Sequence, residues 1–226
     1  MEKARECRAR VTALRALTPD ILEADLAMVE PPALAFDAGQ WISVPFGPKT
    51  VRAYSIASSP RTPATLTLCA DVAPAGIGSR WFRALAPGAE VGFKGPLGGF
   101  VLEPGDARRL LLVAEEIGIV PIRAMLHELA AGGVARPATL VYWARDAGWL
   151  AYDAELRGLA RQHARFAYHP VTPSDGAPAA VADRLVDDVT GLVAYVAGGE
   201  ATIKAVRAAL MAKGMERKAV KWEKFW

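Results

Sequence analysis

Apolar and polar residues alternate in short runs over the first part of the chain, and each run stops at turn-forming residues. Arg8–Leu17 and Ile21–Met28 flank Thr18-Pro19-Asp20, Trp41–Phe46 stops at Gly47-Pro48, and Val51–Ile56 stops at Ser58-Ser59-Pro60. Ala64–Ala70 and Glu90–Lys94 continue the series, with a short helix expected between them from about Ser79 to Leu85. Period-two alternation buries one face of a strand, so short strands at this spacing predict an antiparallel barrel or sandwich.

The pattern changes after Glu103-Pro104-Gly105-Asp106. Arg109–Ala114 is nearly continuous in apolar residues, and strands at Thr139–Trp143, Arg165–Pro170, Leu192–Ala197 and Val220–Glu223 follow it. Helical patterns at Pro121–Ala131, Tyr152–Gln162, Ala179–Asp187 and Ala201–Lys213 separate them. Strict strand–helix alternation predicts a parallel sheet covered on both faces, with ligands at the carboxyl ends of its strands. The expected architecture is therefore two domains: an antiparallel β-barrel over 1–104 and a five-stranded parallel α/β sheet over 105–226. The ends of interest in the second are Ala114–Gly118, Ala144–Asp146 and Ala197–Glu200.

Composition narrows the chemistry. The 226 residues carry 27 basic and 24 acidic side chains, a net charge of +3. That is too small to argue for nucleic acid and compatible with an acidic partner. Two cysteines, Cys7 and Cys69, cannot supply an iron–sulfur cluster or a four-cysteine zinc site, and the three histidines lack ligand spacing. No metal site is expected, so redox chemistry here would need an organic cofactor. Met1–Arg10 lacks the apolar core of a signal peptide, and Leu110–Ala114 is too short to span a bilayer. A cytoplasmic protein with reduced thiols is the expectation.

The segment Arg52-Ala53-Tyr54-Ser55-Ile56-Ala57-Ser58 is the most informative. On a strand it sets Arg52, Tyr54 and Ile56 on one face and Ser55 on the other. Arginine grips phosphate bidentately, tyrosine offers a flat ring and a hydroxyl, and serine offers a small donor to a heterocycle edge. An ordinary half-exposed barrel strand reads the same way.

Arg52-x-Tyr54-Ser55 resembles the flavin motif of the ferredoxin reductase-type flavoprotein family, and the resemblance extends in order over nearly the whole chain. Gly39-Gln40 precedes the motif, and Gly76-Ile77-Gly78-Ser79 stands where the family binds the flavin pyrophosphate. Gly95-Pro96-Leu97-Gly98-Gly99-Phe100 resembles its turn at the barrel exit. The resemblance implies FAD, with Arg52 on a phosphate, Tyr54 against the ring, Ser55 near its reactive nitrogen and Ile56 among the flavin-binding residues. It also implies a pyrophosphate at Gly76, Gly78 and Ser79. At the C-terminus it places Glu223 near the flavin, with Phe225 or Trp226 stacking on the ring.

For NAD(P)H the resemblance implies Gly118, Pro121, Arg145 and Gly198. The sequence departs from the family there. Ala114-Glu115-Glu116-Ile117-Gly118 has two glutamates in place of small residues, and Ala197-Gly198-Gly199 lacks the family's cysteine and proline. A carboxylate about 5 Å from a phosphate repels it by roughly 3 kcal/mol at an effective dielectric of about 20. The alternative is that both glutamates point to solvent. Arg145 favours a 2′-phosphate and Asp146 a free 2′-hydroxyl, which leaves NADPH and NADH both open.

The function so implied is an FAD-dependent oxidoreductase that moves electrons between NAD(P)H and a separate redox protein: ferredoxin, flavodoxin or an iron–sulfur subunit. The alternative is a flavoprotein electron carrier that does not bind nicotinamide because of Glu115 and Glu116. A non-catalytic binding module is the third reading.

Overall fold

The computed structural model describes residues 3–226, so Met1 and Glu2 of the charged N-terminal stretch lie outside the described residues. The chain forms two compact units. One runs to Leu102 and also takes in Val120–Glu128; the other comprises Glu103–Ile119 and Leu129–Trp226. This differs from a simple cut at 104/105. Residues 120–128 join the first unit because Arg123 donates to the Ala57 carbonyl at 2.9 Å and Glu128 pairs with Arg61 at 2.7 Å.

In the first unit, β1 (Arg5–Ala16), β2 (Ile21–Glu30), β3 (Trp41–Pro45), β4 (Val51–Ser55), β5 (Thr65–Asp71) and β6 (Glu90–Leu97) form an antiparallel sheet in the order β4-β3-β6-β1-β2-β5. Its edges meet. Ile56 bridges Leu68, and the Ala57 amide donates to the Thr67 carbonyl at 2.8 Å, which closes the sheet into a barrel. Cys7, Ala9 and Val11 of β1 point into the core beside Leu26, Leu66, Leu68 and Phe93. Arg8 and Arg10 on the outer face pair with Glu30 and Glu90, the cross-strand arrangement that stabilises opposite charges. Helix α1 (Ile77–Arg83) follows β5 and buries Phe82. Gly95-Pro96-Leu97, expected as a turn, belongs to β6. Leu97 pairs with Trp41 of β3, so the strand continues to the point where Gly98 adopts a φ of +95°.

Along the rest of the chain run β7 (Arg109–Glu115), α2 (Ile119–Ala131), β8 (Ala138–Trp143), α3 (Asp153–Gln162), β9 (Phe166–Val171), α4 (Pro178–Leu185), β10 (Leu192–Gly198), α5 (Glu200–Ala212) and β11 (Val220–Lys224). The five strands are parallel in the order β11-β10-β7-β8-β9. All seven residues of β10 are buried, as a central strand covered on both faces requires. Strand order reverses between β7 and β10, so this sheet opens for ligands at Glu115 and Gly198. Among the described residues no helix is long and apolar enough to cross a membrane.

A single-turn 3-10 segment, Glu116–Gly118, leaves β7 and lies flat against the end of β10. A Cβ on Gly118 would stand 2.2 Å from the Ala197 carbonyl oxygen and 2.6 Å from its carbon. Backbone faces backbone there, and no side-chain movement relieves the overlap. Gly118→Ala should therefore lower stability by about 2 kcal/mol or more, as overpacking of a close contact does. Urea unfolding monitored by tryptophan fluorescence reads the change; an unshifted midpoint would show that the loop moves away freely.

Candidate cofactor and nucleotide sites

In the barrel, Arg52 and Tyr54 leave β4 on the same face and meet the start of α1. A Cβ on Gly78 would lie 2.8 Å from the Tyr54 hydroxyl and 3.2 Å from Cγ of Arg52, so glycine is what lets helix and strand approach this closely. The Tyr54 ring is held by α1, 5.4 Å from the Trp81 ring and 5.6 Å from that of Phe82. Its hydroxyl is buried, with no hydrogen-bond partner among the described residues. Burial pushes its pKa up to about 12, against the opposing pull of Arg52, so it stays a neutral donor. Arg52 itself is exposed, and among the described residues it bonds to the neighbouring Val51 carbonyl, at 2.8 Å.

Gly76 precedes α1, no side chain caps that helix, and its first turn holds no acidic residue. Ser79 donates weakly to the Asp71 carbonyl at 3.4 Å. Ser55 is buried beside Tyr54, at 6% exposure. Ile56, expected against the ligand, is fully buried in the barrel core, and its amide donates to the Gln40 carbonyl at 2.9 Å. Gln40 shows why the Gly-Gln pair matters structurally. Its side chain accepts from the Asp37 amide at 2.8 Å and donates to the Gly98 carbonyl at 3.2 Å, tying the loop before β3 to the turn after β6.

A second cluster lies at the strand ends of the parallel sheet. Glu115 is half-buried, and its Oε2 accepts from the Gly199 amide at 2.8 Å, immediately before α5. The positive end of a helix favours an anion there. Glu116 is buried at 8% exposure with a φ of +49°. A non-glycine residue in that region costs about 1–3 kcal/mol. Its Oε1 accepts twice from Arg145, from the backbone amide at 3.0 Å and from Nε at 2.9 Å, while Oε2 is buried without a partner among the described residues. The alternative in which both glutamates point to solvent does not hold, because each is bonded at the end of a neighbouring strand of the parallel sheet. Nothing in the sequence pattern announced the turned-in Glu116.

Of the remaining expected residues, Gly198, Glu223 and Trp226 gather at the end of β10. Gly198 lies under Glu115, whose Cβ is 2.7 Å from where a Gly198 Cβ would be. Pro121 is buried in the first turn of α2, where its missing amide hydrogen costs no helix bond. Asp146 spends its carboxylate on the Gly148 amide at 2.9 Å, as the cap of the next turn. Glu223, on β11 opposite Ala197, carries a buried Oε2 with no partner among the described residues, and burial pushes its pKa up to about 7. Trp226 is 56% exposed, with its indole nitrogen beside Gly199.

Residues 8–102 match the oxidoreductase FAD-binding domain. A protein of Sorangium cellulosum named ferredoxin–NADP reductase B is 34% identical over 79% of this chain and 74% of its own length. The chain belongs to the ferredoxin–NAD(P)H reductase-type flavoprotein family. The reductase component of a propane 2-monooxygenase from Gordonia is 29% identical, and the match spans 46% of that longer protein. Among solved structures, the Amycolatopsis cytochrome P450 reductase GcoB superposes with a TM-score of 0.89 at 25% identity, over the whole of this chain and 71% of its own.

As a flavoprotein, the barrel has residues that fit FAD. An acceptor-bearing heterocycle answers the unmet Tyr54 hydroxyl, and a pyrophosphate answers Arg52 and the uncapped, glycine-lined start of α1. A charge-assisted hydrogen bond contributes about 1.5–3 kcal/mol, so Arg52→Ala should weaken FAD binding about tenfold or more. Gly78→Val, which fills the space beside Tyr54, should do the same. Flavin fluorescence during titration of the flavin-depleted protein measures both, and wild-type affinity in both variants would place the cofactor elsewhere.

Proposed function

We propose that this chain moves electrons between NAD(P)H and a separate redox protein, such as a ferredoxin, a flavodoxin or an iron–sulfur subunit. The observation that carries the reading is the meeting of Arg52, Tyr54 and the start of α1 around a buried, unpartnered hydroxyl. The Sorangium and Gordonia relatives, named as an NADP reductase and a monooxygenase reductase component, support a nicotinamide donor and a separate acceptor. Two cysteines leave this chain without the ligands for an iron–sulfur centre of its own, and its net charge of +3 suits an acidic partner.

When bound, FAD supplies hydride acceptance and one-electron release. The protein's part is to hold and to tune. Arg52 and the first turn of α1 hold the pyrophosphate, and Tyr54, locked between β4 and the Trp81 and Phe82 rings, offers a hydroxyl that stays protonated. Ser55 offers a small donor beside it, and Glu223 is the carboxyl that gains and loses a proton near neutral pH. Gly118 and Gly198 hold the ends of β7 and β10 close enough to receive the nucleotide, and Trp226 supplies an exposed ring beside them.

A second reading rests on Glu115. Its carboxylate already sits at the start of α5, where a nucleotide phosphate would be drawn, which favours a flavoprotein carrier that takes electrons only from proteins. One titration decides. The purified protein should be yellow, and anaerobic NADPH or NADH should bleach its flavin absorbance within seconds. A yellow protein that neither nucleotide bleaches supports the carrier, and a colourless protein that takes up no added FAD contradicts both readings.

A further inference from the structure

We infer that Glu116 is a positioning residue that sets Arg145 to receive a phosphomonoester, making the 2′-phosphorylated dinucleotide the preferred one. This rests on the reading that the chain uses a nicotinamide nucleotide, and it deepens that reading.

Sequence left the choice open because Arg145 and Asp146 stand side by side at the end of β8 with opposite preferences. The structure separates them. Asp146 turns one carboxylate oxygen, Oδ1, onto the Gly148 amide 2.9 Å away and caps the local turn. Arg145 is held from behind. One oxygen of Glu116 accepts both its backbone amide and its Nε, at 3.0 and 2.9 Å, which fixes the plane of the guanidinium as well as its root. The guanidinium carbon lies 5.9 Å from the centre of the Trp149 ring, a second restraint on that plane. The Arg145 side chain remains 44% exposed while that of Glu116 is only 10% exposed, so the brace is inside and the cation outside.

The cost of the arrangement marks it as built. Glu116 adopts a backbone conformation that glycine takes without penalty, and it buries a second oxygen with no partner. A glycine here would avoid both costs and would lose the hold on Arg145. A pre-oriented arginine recognises phosphate better than a mobile one, since less side-chain freedom is lost on binding.

The test compares adenosine 2′,5′-bisphosphate with AMP, which differ only in the 2′-phosphate, by calorimetry on the FAD-loaded protein. Wild type should bind the bisphosphate about tenfold more tightly or better, the worth of one charge-assisted contact. Glu116→Gly suits the local backbone and removes the brace, so that ratio should fall toward one while AMP affinity holds. Glu116→Gln keeps an oxygen for Arg145 and should retain most of the ratio. Equal binding of both probes by wild type, an unchanged ratio in Glu116→Gly, or a ratio that rises in both variants would overturn the inference. If wild type binds neither probe and neither NADPH nor NADH bleaches the flavin, nicotinamide use itself fails. If the nucleotides bleach it and the ratio behaves otherwise than expected, only the role of Glu116 fails.

Discussion

The parallel sheet depends on one close approach, the seating of the Glu116–Gly118 turn on the carbonyl end of β10. A side chain at Gly118 would overlap the Ala197 peptide, so the turn lies flat only because glycine is there. That contact fixes where β7 ends and brings the Glu115 carboxylate to the Gly199 amide. It also turns Glu116 inward, onto Arg145 at the end of the neighbouring strand. Three strand ends are thereby joined at the place where strand order reverses and an α/β sheet receives its ligand. The glutamates that look hostile to a dinucleotide in the sequence are structural members of that junction, and the charge of Glu116 is met by Arg145.

The barrel follows a different logic. Its sheet is closed by backbone pairing at Ile56 and Leu68, and its core is ordinary apolar packing. What the closed barrel leaves unsatisfied among the described residues is polar and local: a buried tyrosine hydroxyl, an exposed arginine bonded to its own neighbour, and a helix start with no side-chain cap. A buried donor without a partner costs about 1–3 kcal/mol, and a stable fold carries that cost most readily where a ligand relieves it.

Much of this was legible in the sequence for physical reasons. Period-two runs and strand–helix alternation locate the elements to within a few residues, because burying one face of a strand or helix demands those periods. The Arg52, Tyr54 and Gly78 cluster was legible through side-chain chemistry and family resemblance together. Other features were hidden. Gly95-Pro96-Leu97 carries turn residues yet pairs as strand, since cross-strand bonding to Trp41 outweighs local preference. Ile56 alternates onto the expected face, but barrel closure turns it into the core. The left-handed backbone of Glu116 has no sequence signal, because a residue type that disfavours a conformation cannot advertise it. The grouping of 120–128 with the barrel rests on Arg123 and Glu128, whose partners are distant in sequence.

Under the proposed function, two stretches of backbone, one in each unit, receive two ligands. Amide hydrogen exchange read by mass spectrometry tests it most directly. Adding FAD to the flavin-depleted protein should slow exchange over 52–56 and 76–79, and adding NADP+ to the loaded protein should slow it over 115–118, 145–149 and 198–200. Protection confined to other segments, or none on either addition, would contradict the account.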